Sequence, residues 1–225
     1  MARIFWAGDS TVKRNTYETF PQTGIGQEFH RFTKKGIEIF NFAENGRSTK
    51  SFIDESRLAE IYNTLEEGDF FFIQFGHNDE KKEDKNRYTD PYTTFQDNLV
   101  KFINVARNKN AYPVLITSVT RRNFKEDGKL EPSVQQNYAS AMENIAEKED
   151  VKIINLYKKS RELVEEYGPK ESLNLYMHIK PNKYPAFPEG LNDNTHLKPE
   201  GAFEFGKLIA EELEKLGAPY CELLI

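Results

Sequence analysis

The chain of 225 residues is long enough to bury the core of one α/β domain, and we take residues 1–225 as a single domain. Its formal net charge of −5 is spread over interspersed acidic and basic residues, which argues against nucleic acid as the main partner. The single cysteine, Cys221, excludes an intramolecular disulfide and is typical of a reducing compartment.

No stretch of the sequence reaches the about 20 apolar residues that a membrane span requires, so we expect no membrane partner. The first residues run directly into an apolar strand, without room for a signal peptide. The sequence therefore predicts a cytoplasmic protein and leaves open that a leader was removed. It favours neither a monomer nor a homodimer.

Five short apolar runs predict β-strands, and stretches with helical periodicity lie between and after them. The predicted strands are Ile4–Ala7, Glu38–Ala43, Asp69–Phe75, Val114–Val119 and Val151–Leu156. The predicted helices are Ile25–Thr33, Phe52–Tyr62, Thr93–Arg107, Ser133–Glu147, Leu156–Tyr167 and Pro199–Leu216. This alternation predicts an α/β fold: a three-layer α/β/α sandwich around a flavodoxin-like, five-stranded parallel sheet of order 2-1-3-4-5.

One segment, Pro169 to Leu197, shows neither a helical periodicity nor the apolar run of a buried strand. It contains four prolines between Pro169 and Pro188, and several aromatic residues. A long non-helical segment in a compact domain is usually functional or disordered. Its place before the last helix favours a functional, irregular segment at about 169–197.

The first strand stops at Gly8, and Ser10 follows where the chain must turn. Ligands of open α/β sheets bind outside the carboxyl ends of the strands, so Ser10 is expected to face the binding crevice. A glycine at position 8 allows close backbone approach or positive φ. The alternative is that a side chain of Asp9, Ser10 or Thr11 only caps the next helix.

The loops after the second and third strands contain Gly46 and Asn78, and Asp193 and His196 precede the last helix. In the order 2-1-3, the Gly46 and Asn78 loops flank Ser10 at one edge of the sheet. Acyl transfer needs a nucleophile, a base, a group that orients the base, and donors for the oxyanion.

Each of these needs has a candidate residue in this set. Ser10 is the candidate nucleophile, and His196 the candidate base, since imidazole ordinarily titrates near neutrality. Asp193, three residues earlier on the same turn, would orient His196. The candidate oxyanion donors are the N–H groups of Ser10 and Gly46 and the amide of Asn78. Taken singly, these residues also fit turns, caps and a satisfied histidine.

Four blocks of the sequence carry a resemblance: Gly8-Asp9-Ser10-Thr11, Asn45-Gly46-Arg47-Ser48, Gly76-His77-Asn78-Asp79 and Asp193-Asn194-Thr195-His196. In order and spacing they resemble the SGNH (GDSL-type) hydrolases, and more narrowly the rhamnogalacturonan acetylesterases and their bacterial relatives. The resemblance implies an α/β/α serine esterase that removes O-acetyl groups from carbohydrate through an acyl-enzyme, with the roles given above and no metal or organic cofactor. Without a visible leader, acetylated pectic rhamnogalacturonan oligosaccharides are the expected substrate.

Further substrate contacts are expected from loops at the same edge of the sheet. Arg47, Arg121 and Arg122 carry guanidinium groups that would suit the carboxylate of a neighbouring uronic acid. Tyr184 could build the opposite wall. The alternative is that these arginines are solvated and that Tyr184 anchors its loop.

Three other functions stay open at this point. An SGNH esterase, lipase or thioesterase could act on another acyl substrate, such as acetylated xylan oligosaccharides. A metal-dependent phosphoesterase would use His77, Asp79, Asp193 and His196 as ligands but would leave Ser10 and Gly46 without a role. A non-catalytic carbohydrate-binding domain would not be expected to retain both nucleophile and base.

Overall fold

The computed structural model describes residues 2–225. Its central sheet consists of β1 Arg3–Gly8, β2 Glu38–Asn41, β3 Phe70–Phe75, β4 Tyr112–Thr117 and β5 Lys152–Ile154. All neighbouring strands are parallel, and their order is β2-β1-β3-β4-β5. The predicted sheet and its strand order are therefore confirmed.

Helices cover both faces of the sheet, as expected for parallel strands. They are α1 Ile25–Glu28, α2 Thr49–Asp54, α3 Arg57–Thr64, α4 Thr94–Arg107, α5 Gln135–Lys148, α6 Leu156–Glu171 and α7 Pro199–Leu216. Helices α1, α6 and α7 pack on one face, and α2 to α5 pack on the other. Among residues 2–225, no helix has the length and apolar content to cross a membrane.

The alternation of side chains along each strand divides the core into two apolar clusters. On β1, Trp6 faces the cluster with α1 and α7, whereas Phe5 faces the cluster with α2 to α5. Trp6 is 0% exposed and packs edge-to-face on Phe72 with ring centroids 5.2 Å apart. Residues beyond the carboxyl ends of β1, β2 and β3 are thereby held on a rigid, fully packed platform.

Two predicted helices are wrong in their extent. The stretch predicted as one helix over 52–62 is divided into α2 and α3, because Ser56 between them has a φ of 62°, which is left-handed. The helix predicted over 25–33 ends at Glu28 and continues as a 3₁₀ turn, Phe29–Arg31. Apolar spacing alone does not detect such breaks.

The segment predicted as irregular is largely regular. Helix α6 extends to Glu171 through a kink at Gly168 and Pro169. An antiparallel pair then follows, β6 Tyr176–Ile179 and β7 Leu191–Leu197, separate from the central sheet. The residues between these two strands form the tip of a hairpin. The prediction failed because β7, with the sequence LNDNTHL, is mostly polar and shows no apolar alternation.

Candidate active site

Ser10 lies in the turn directly after β1. A Cβ on Gly8 would lie 3.0 Å from Val12 Cγ2 and 3.2 Å from the Gln74 carbonyl oxygen, so the strand end needs glycine for close approach. Asp9, which is fully buried, accepts hydrogen bonds from the Thr11 N–H at 2.9 Å and the Thr11 hydroxyl at 2.7 Å. Asp9 therefore braces the turn, and the Ser10 hydroxyl remains for another partner.

A bulge in β7 presents Asp193 and His196. Tyr176 of β6 pairs with Leu197 and His178 pairs with Asn192, so residues 193–196 oppose the single residue Met177. In a regular strand, residues three apart point to opposite faces. Here the extra residues let the chain turn, and Asp193 Oδ1 accepts from the backbone N–H of Thr195 at 2.7 Å and of His196 at 3.0 Å. The turn expected between Asp193 and His196 is therefore a bulge within strand β7.

The three candidate catalytic side chains are joined in a continuous line of hydrogen bonds. His196 Nε2 lies 3.0 Å from Ser10 Oγ, and His196 Nδ1 lies 2.7 Å from Asp193 Oδ2. The His196 side chain is 33% exposed, so the imidazole faces the crevice rather than the interior. Burial raises the pKa of Asp193, but the hydrogen bonds and charge of His196 lower it by more, and the pKa lies well below its usual range.

The loops after β2 and β3 meet on the other side of this line. Gly46 has a φ of +74°, a conformation that favours glycine, and Ser48 caps the N-terminus of α2. Asn78 is buried, and its amide nitrogen donates to the Arg47 carbonyl oxygen at 3.1 Å. Within residues 2–225, the backbone N–H groups of Ser10 and Gly46 donate to no protein acceptor. They are therefore available to an oxyanion.

Asp79 connects the loop after β2 to the loop after β3 by hydrogen bonds. Its buried carboxylate accepts from the Thr49 N–H at 3.0 Å and the Thr49 hydroxyl at 2.5 Å, at the start of α2. It also accepts from the Thr89 hydroxyl at 2.9 Å. Burial raises the pKa of Asp79 to about 7, against the opposing effect of these donors. Asp79 thus connects the Gly46 loop to the chain beside Asn78.

The side chains proposed as ligands in the metal alternative belong to separate contacts. His77 Nδ1 lies 3.5 Å from Asp9 Oδ2 beneath the Ser10 turn, Asp79 binds two threonines, and Asp193 binds His196. Within the described residues 2–225, no three His, Cys, Asp or Glu side chains are grouped so as to hold a metal ion.

The two arginines after β4 contact the bulged segment of β7. Arg121 pairs with Glu80 and donates from Nε to the Thr195 hydroxyl at 3.2 Å. The Arg122 N–H donates to the Asn194 carbonyl oxygen at 2.9 Å, and its guanidinium donates to Asn194 Oδ1 at 3.2 Å. The other Arg122 nitrogens donate to Ser172 Oγ and to the Pro169 carbonyl oxygen. Both guanidinium groups are therefore engaged within the protein.

The remaining residues expected at the substrate, Arg47 and Tyr184, are partly exposed. Arg47 pairs with Glu55 at 2.8 Å and donates to the Asn45 carbonyl oxygen at 2.8 Å. Tyr184 lies in the hairpin tip between β6 and β7 and packs edge-to-face on Phe20, with centroids 5.5 Å apart. One residue that sequence reasoning did not single out, Arg87, contacts Asn78. It lies in a run of mixed charges, and no sequence signal connects it to this edge.

The fold is a three-layer α/β/α sandwich, and the chain belongs to the GDSL-like lipase/acylhydrolase family, whose model matches residues 4–209. It is therefore a carboxylic ester hydrolase. Over 223 residues it is 43% identical to rhamnogalacturonan acetylesterase RhgT of Bacillus subtilis (strain 168), covering 99% of this chain and 94% of that protein. It is 39% identical to the probable rhamnogalacturonan acetylesterase YesY of the same organism, covering 99% of this chain and 97% of that protein.

Solved structures share the fold. Protein YxiM from Bacillus subtilis superposes with a TM-score of 0.81 at 24% identity, covering 97% of this chain and 57% of that one. Axe2, an acetylxylan esterase from Geobacillus stearothermophilus, superposes with a TM-score of 0.62 at 12% identity, covering 97% of this chain and 95% of that one.

Proposed function

We propose that the protein removes O-acetyl groups from pectic carbohydrate, with acetylated rhamnogalacturonan oligosaccharides as substrate, through an acetyl-enzyme on Ser10. The observation that carries the proposal is the line from Ser10 Oγ to His196 Nε2 at 3.0 Å and from His196 Nδ1 to Asp193 at 2.7 Å. The full-length similarity to RhgT and YesY supports this substrate class.

In the first half-reaction, Ser10 Oγ attacks the acetyl carbonyl carbon while its proton moves to His196 Nε2. Asp193 holds the Nδ1–H of His196, which fixes the tautomer and stabilises the imidazolium that forms. The oxyanion accepts hydrogen bonds from the N–H groups of Ser10 and Gly46 and from the Asn78 amide. The C–O bond to the sugar then breaks, and His196 gives its proton to the departing alcohol oxygen.

In the second half-reaction, water replaces the sugar at the acetyl group. His196 takes a proton from the water as it attacks the acetyl-enzyme, and the same three donors stabilise the second oxyanion. Collapse of this intermediate releases acetate and returns the proton to Ser10. Every proton transfer passes through His196 Nε2, so no metal or organic cofactor has a step in this scheme.

Of the residues proposed for substrate binding, Arg47 and Tyr184 are the stronger candidates. Arg47 is partly exposed beside Gly46, and Tyr184 is partly exposed at the hairpin tip between β6 and β7. Arg121 and Arg122 are proposed instead to hold the segment that carries Asp193 and His196. All three nitrogens of each of these guanidinium groups already donate to protein acceptors, whereas Nη2 of Arg47 donates to none within residues 2–225.

The experiment that tests this proposal is acetate release from a matched panel of acetylated rhamnogalacturonan and acetylated xylan oligosaccharides. We expect kcat/KM to be at least about 10-fold higher for the rhamnogalacturonan set, a preference of about 1.4 kcal/mol in transition-state binding. Faster acetate release from the xylan set would show that acetylated xylan is the preferred substrate, and the proposed mechanism would be unaffected. If neither set released acetate while p-nitrophenyl acetate was still cleaved, the substrate would be neither of these polysaccharides.

A further inference from the structure

Arg87 lies against the proposed oxyanion hole, although it belongs to a charged surface loop. Its Nη1 lies 3.4 Å from Asn78 Oδ1. The same nitrogen lies 3.4 Å from the position that a Cβ on Gly46 would occupy. The Arg87 side chain is 30% exposed. Its guanidinium is therefore next to two of the three groups proposed as oxyanion donors.

The loop that brings Arg87 to Asn78 is closed at its neck. The N–H of Thr89 donates to the Asp79 carbonyl oxygen at 3.1 Å, and the Thr89 hydroxyl donates to Asp79 Oδ1 at 2.9 Å. The Tyr138 hydroxyl lies 2.9 Å from the Asp79 carbonyl oxygen and 2.6 Å from that of Thr89. Residues 79–89 thus form a compact Ω-type loop, whose closed neck returns the chain to the edge of the sheet.

Asp84 fixes the direction of the guanidinium. Arg87 Nε pairs with Asp84 Oδ2 at 2.5 Å, and the backbone N–H groups of Arg87 and Tyr88 donate to the Asp84 carbonyl oxygen at 3.0 and 2.7 Å. Because Nε is bound to Asp84, the planar guanidinium directs Nη1 toward Asn78.

We infer that Arg87 is a positioning residue that fixes and polarises the side-chain amide of Asn78. The inference rests on the proposed role of Asn78 as an oxyanion donor. Arg87 donates to Asn78 Oδ1, and Asn78 Nδ2 donates to the Arg47 carbonyl oxygen at 3.1 Å, so both ends of the amide are defined. The second N–H of Nδ2 is left for the oxyanion.

The positive charge of Arg87 also affects the strength of this donor. A charged donor on the amide oxygen draws electron density away from the amide nitrogen, and the N–H group becomes a stronger donor, as in cooperative hydrogen-bond chains. Within residues 2–225, the Arg87 side chain forms no hydrogen bond to Ser10, Asp193 or His196; its acceptors are Asp84 and Asn78. Its effect passes through Asn78, which is the feature that an experiment can isolate.

The test is a double-mutant cycle on p-nitrophenyl acetate, a substrate without a carboxylate. Asn78→Ala should lower kcat on the order of 100-fold, the usual loss for one oxyanion donor. Arg87→Ala should lower kcat roughly 10-fold with little change in KM, because the amide of Asn78 is then held only by its bond to the Arg47 carbonyl oxygen. The double variant should be no slower than Asn78→Ala alone. Arg87→Lys should recover part of kcat, because its ammonium can still donate to Oδ1.

A matched control is Arg107→Ala, which breaks a comparable arginine–carboxylate pair, Arg107 with Glu149 at 2.8 Å, outside the site. It should leave kcat unchanged, and thermal unfolding of every variant separates lost positioning from lost fold. An undiminished effect of Arg87→Ala in the Asn78→Ala background would overturn the inference. So would a loss that appears only in KM and only on uronate-bearing oligosaccharides, which would assign Arg87 to substrate binding.

The same cycle separates this inference from the proposed function. If Asn78→Ala slows turnover and Arg87→Ala does not, only the role of Arg87 is contradicted. If Asn78→Ala has no effect, the proposed oxyanion hole is contradicted and the role of Arg87 with it.

Discussion

At the scale of single residues, the neighbours of each buried carboxylate decide its protonation. Asp9 and Asp79 are both fully buried within the two loops beside Ser10 and Asn78. Burial raises the pKa of Asp9, but His77 and the donors of Thr11 lower it by more, so the net pKa lies below its usual value. The side-chain partners of Asp79 are threonines, and burial raises its pKa to about 7. The contacts beneath Ser10 therefore favour the ionised form of Asp9, whereas burial favours the protonated form of Asp79.

Asp193 should stabilise the fold in a pH-dependent manner. Its pKa is depressed, because His196 outweighs the effect of burial. A carboxyl with a depressed folded pKa contributes stability above its ordinary pKa of about 4, and that contribution is lost as the pH falls toward the folded value. We therefore expect Asp193→Asn to lower the free energy of unfolding at about pH 7 and to lower it less at about pH 3. Urea unfolding of both proteins at the two pH values measures this, and an equal loss at both would contradict it.

At the scale of elements, the hairpin of β6 and β7 carries the base, and the turn after β1 carries the nucleophile. These elements are far apart in the chain: Ser10 and His196 are separated by 186 positions. The position of His196 relative to Ser10 depends on the bulge over residues 193–196. It also depends on Arg121 and Arg122, which bind this bulge from the end of β4. The activity of the site should therefore be sensitive to side chains that contact neither substrate nor Ser10.

Arg122→Ala should lower kcat on p-nitrophenyl acetate by roughly 10-fold with KM little changed, because the bulge loses its support at Asn194 and small misplacements of catalytic groups are costly. Steady-state kinetics give the two parameters, and thermal unfolding shows whether the fold persists. A matched control is Arg161→Ala, whose guanidinium also donates to backbone carbonyl oxygens, those of Leu130 and Glu131. A loss in KM alone, seen only with uronate-bearing substrates, would instead support substrate binding by Arg122.

At the scale of the whole molecule, the strand order and the edge that holds the site could be predicted from the sequence. Buried parallel strands such as β3 appear as continuous apolar runs, and the position of β1 between β2 and β3 brings Ser10, Gly46 and Asn78 to one edge. The hairpin could not be predicted, because β7 is polar and its bulge depends on pairing with β6. The place of Arg87 depends on the neck between Asp79 and Thr89, a tertiary contact without a local signal.

The choice of acyl group is a property of the assembled crevice. If the site is specific for acetyl groups, the space for the acyl chain is small, and a longer chain cannot be accommodated without displacing the packed loops. We expect p-nitrophenyl acetate to be cleaved at least about 100-fold faster than the octanoate, compared as kcat/KM. The opposite order would indicate a lipase-like or thioesterase-like member of the family.

The central claim is that the hydroxyl of Ser10 attacks the acetyl group, and rapid-quench mass spectrometry during p-nitrophenyl acetate turnover tests it most directly. The account predicts that one acetyl group appears on the peptide containing Ser10 within the first turnover. It also predicts that folded Ser10→Ala protein neither acquires this acetyl group nor releases acetate above background. Full turnover by Ser10→Ala, or an acetyl group on another residue that forms and decays at the rate of catalysis, would contradict the account.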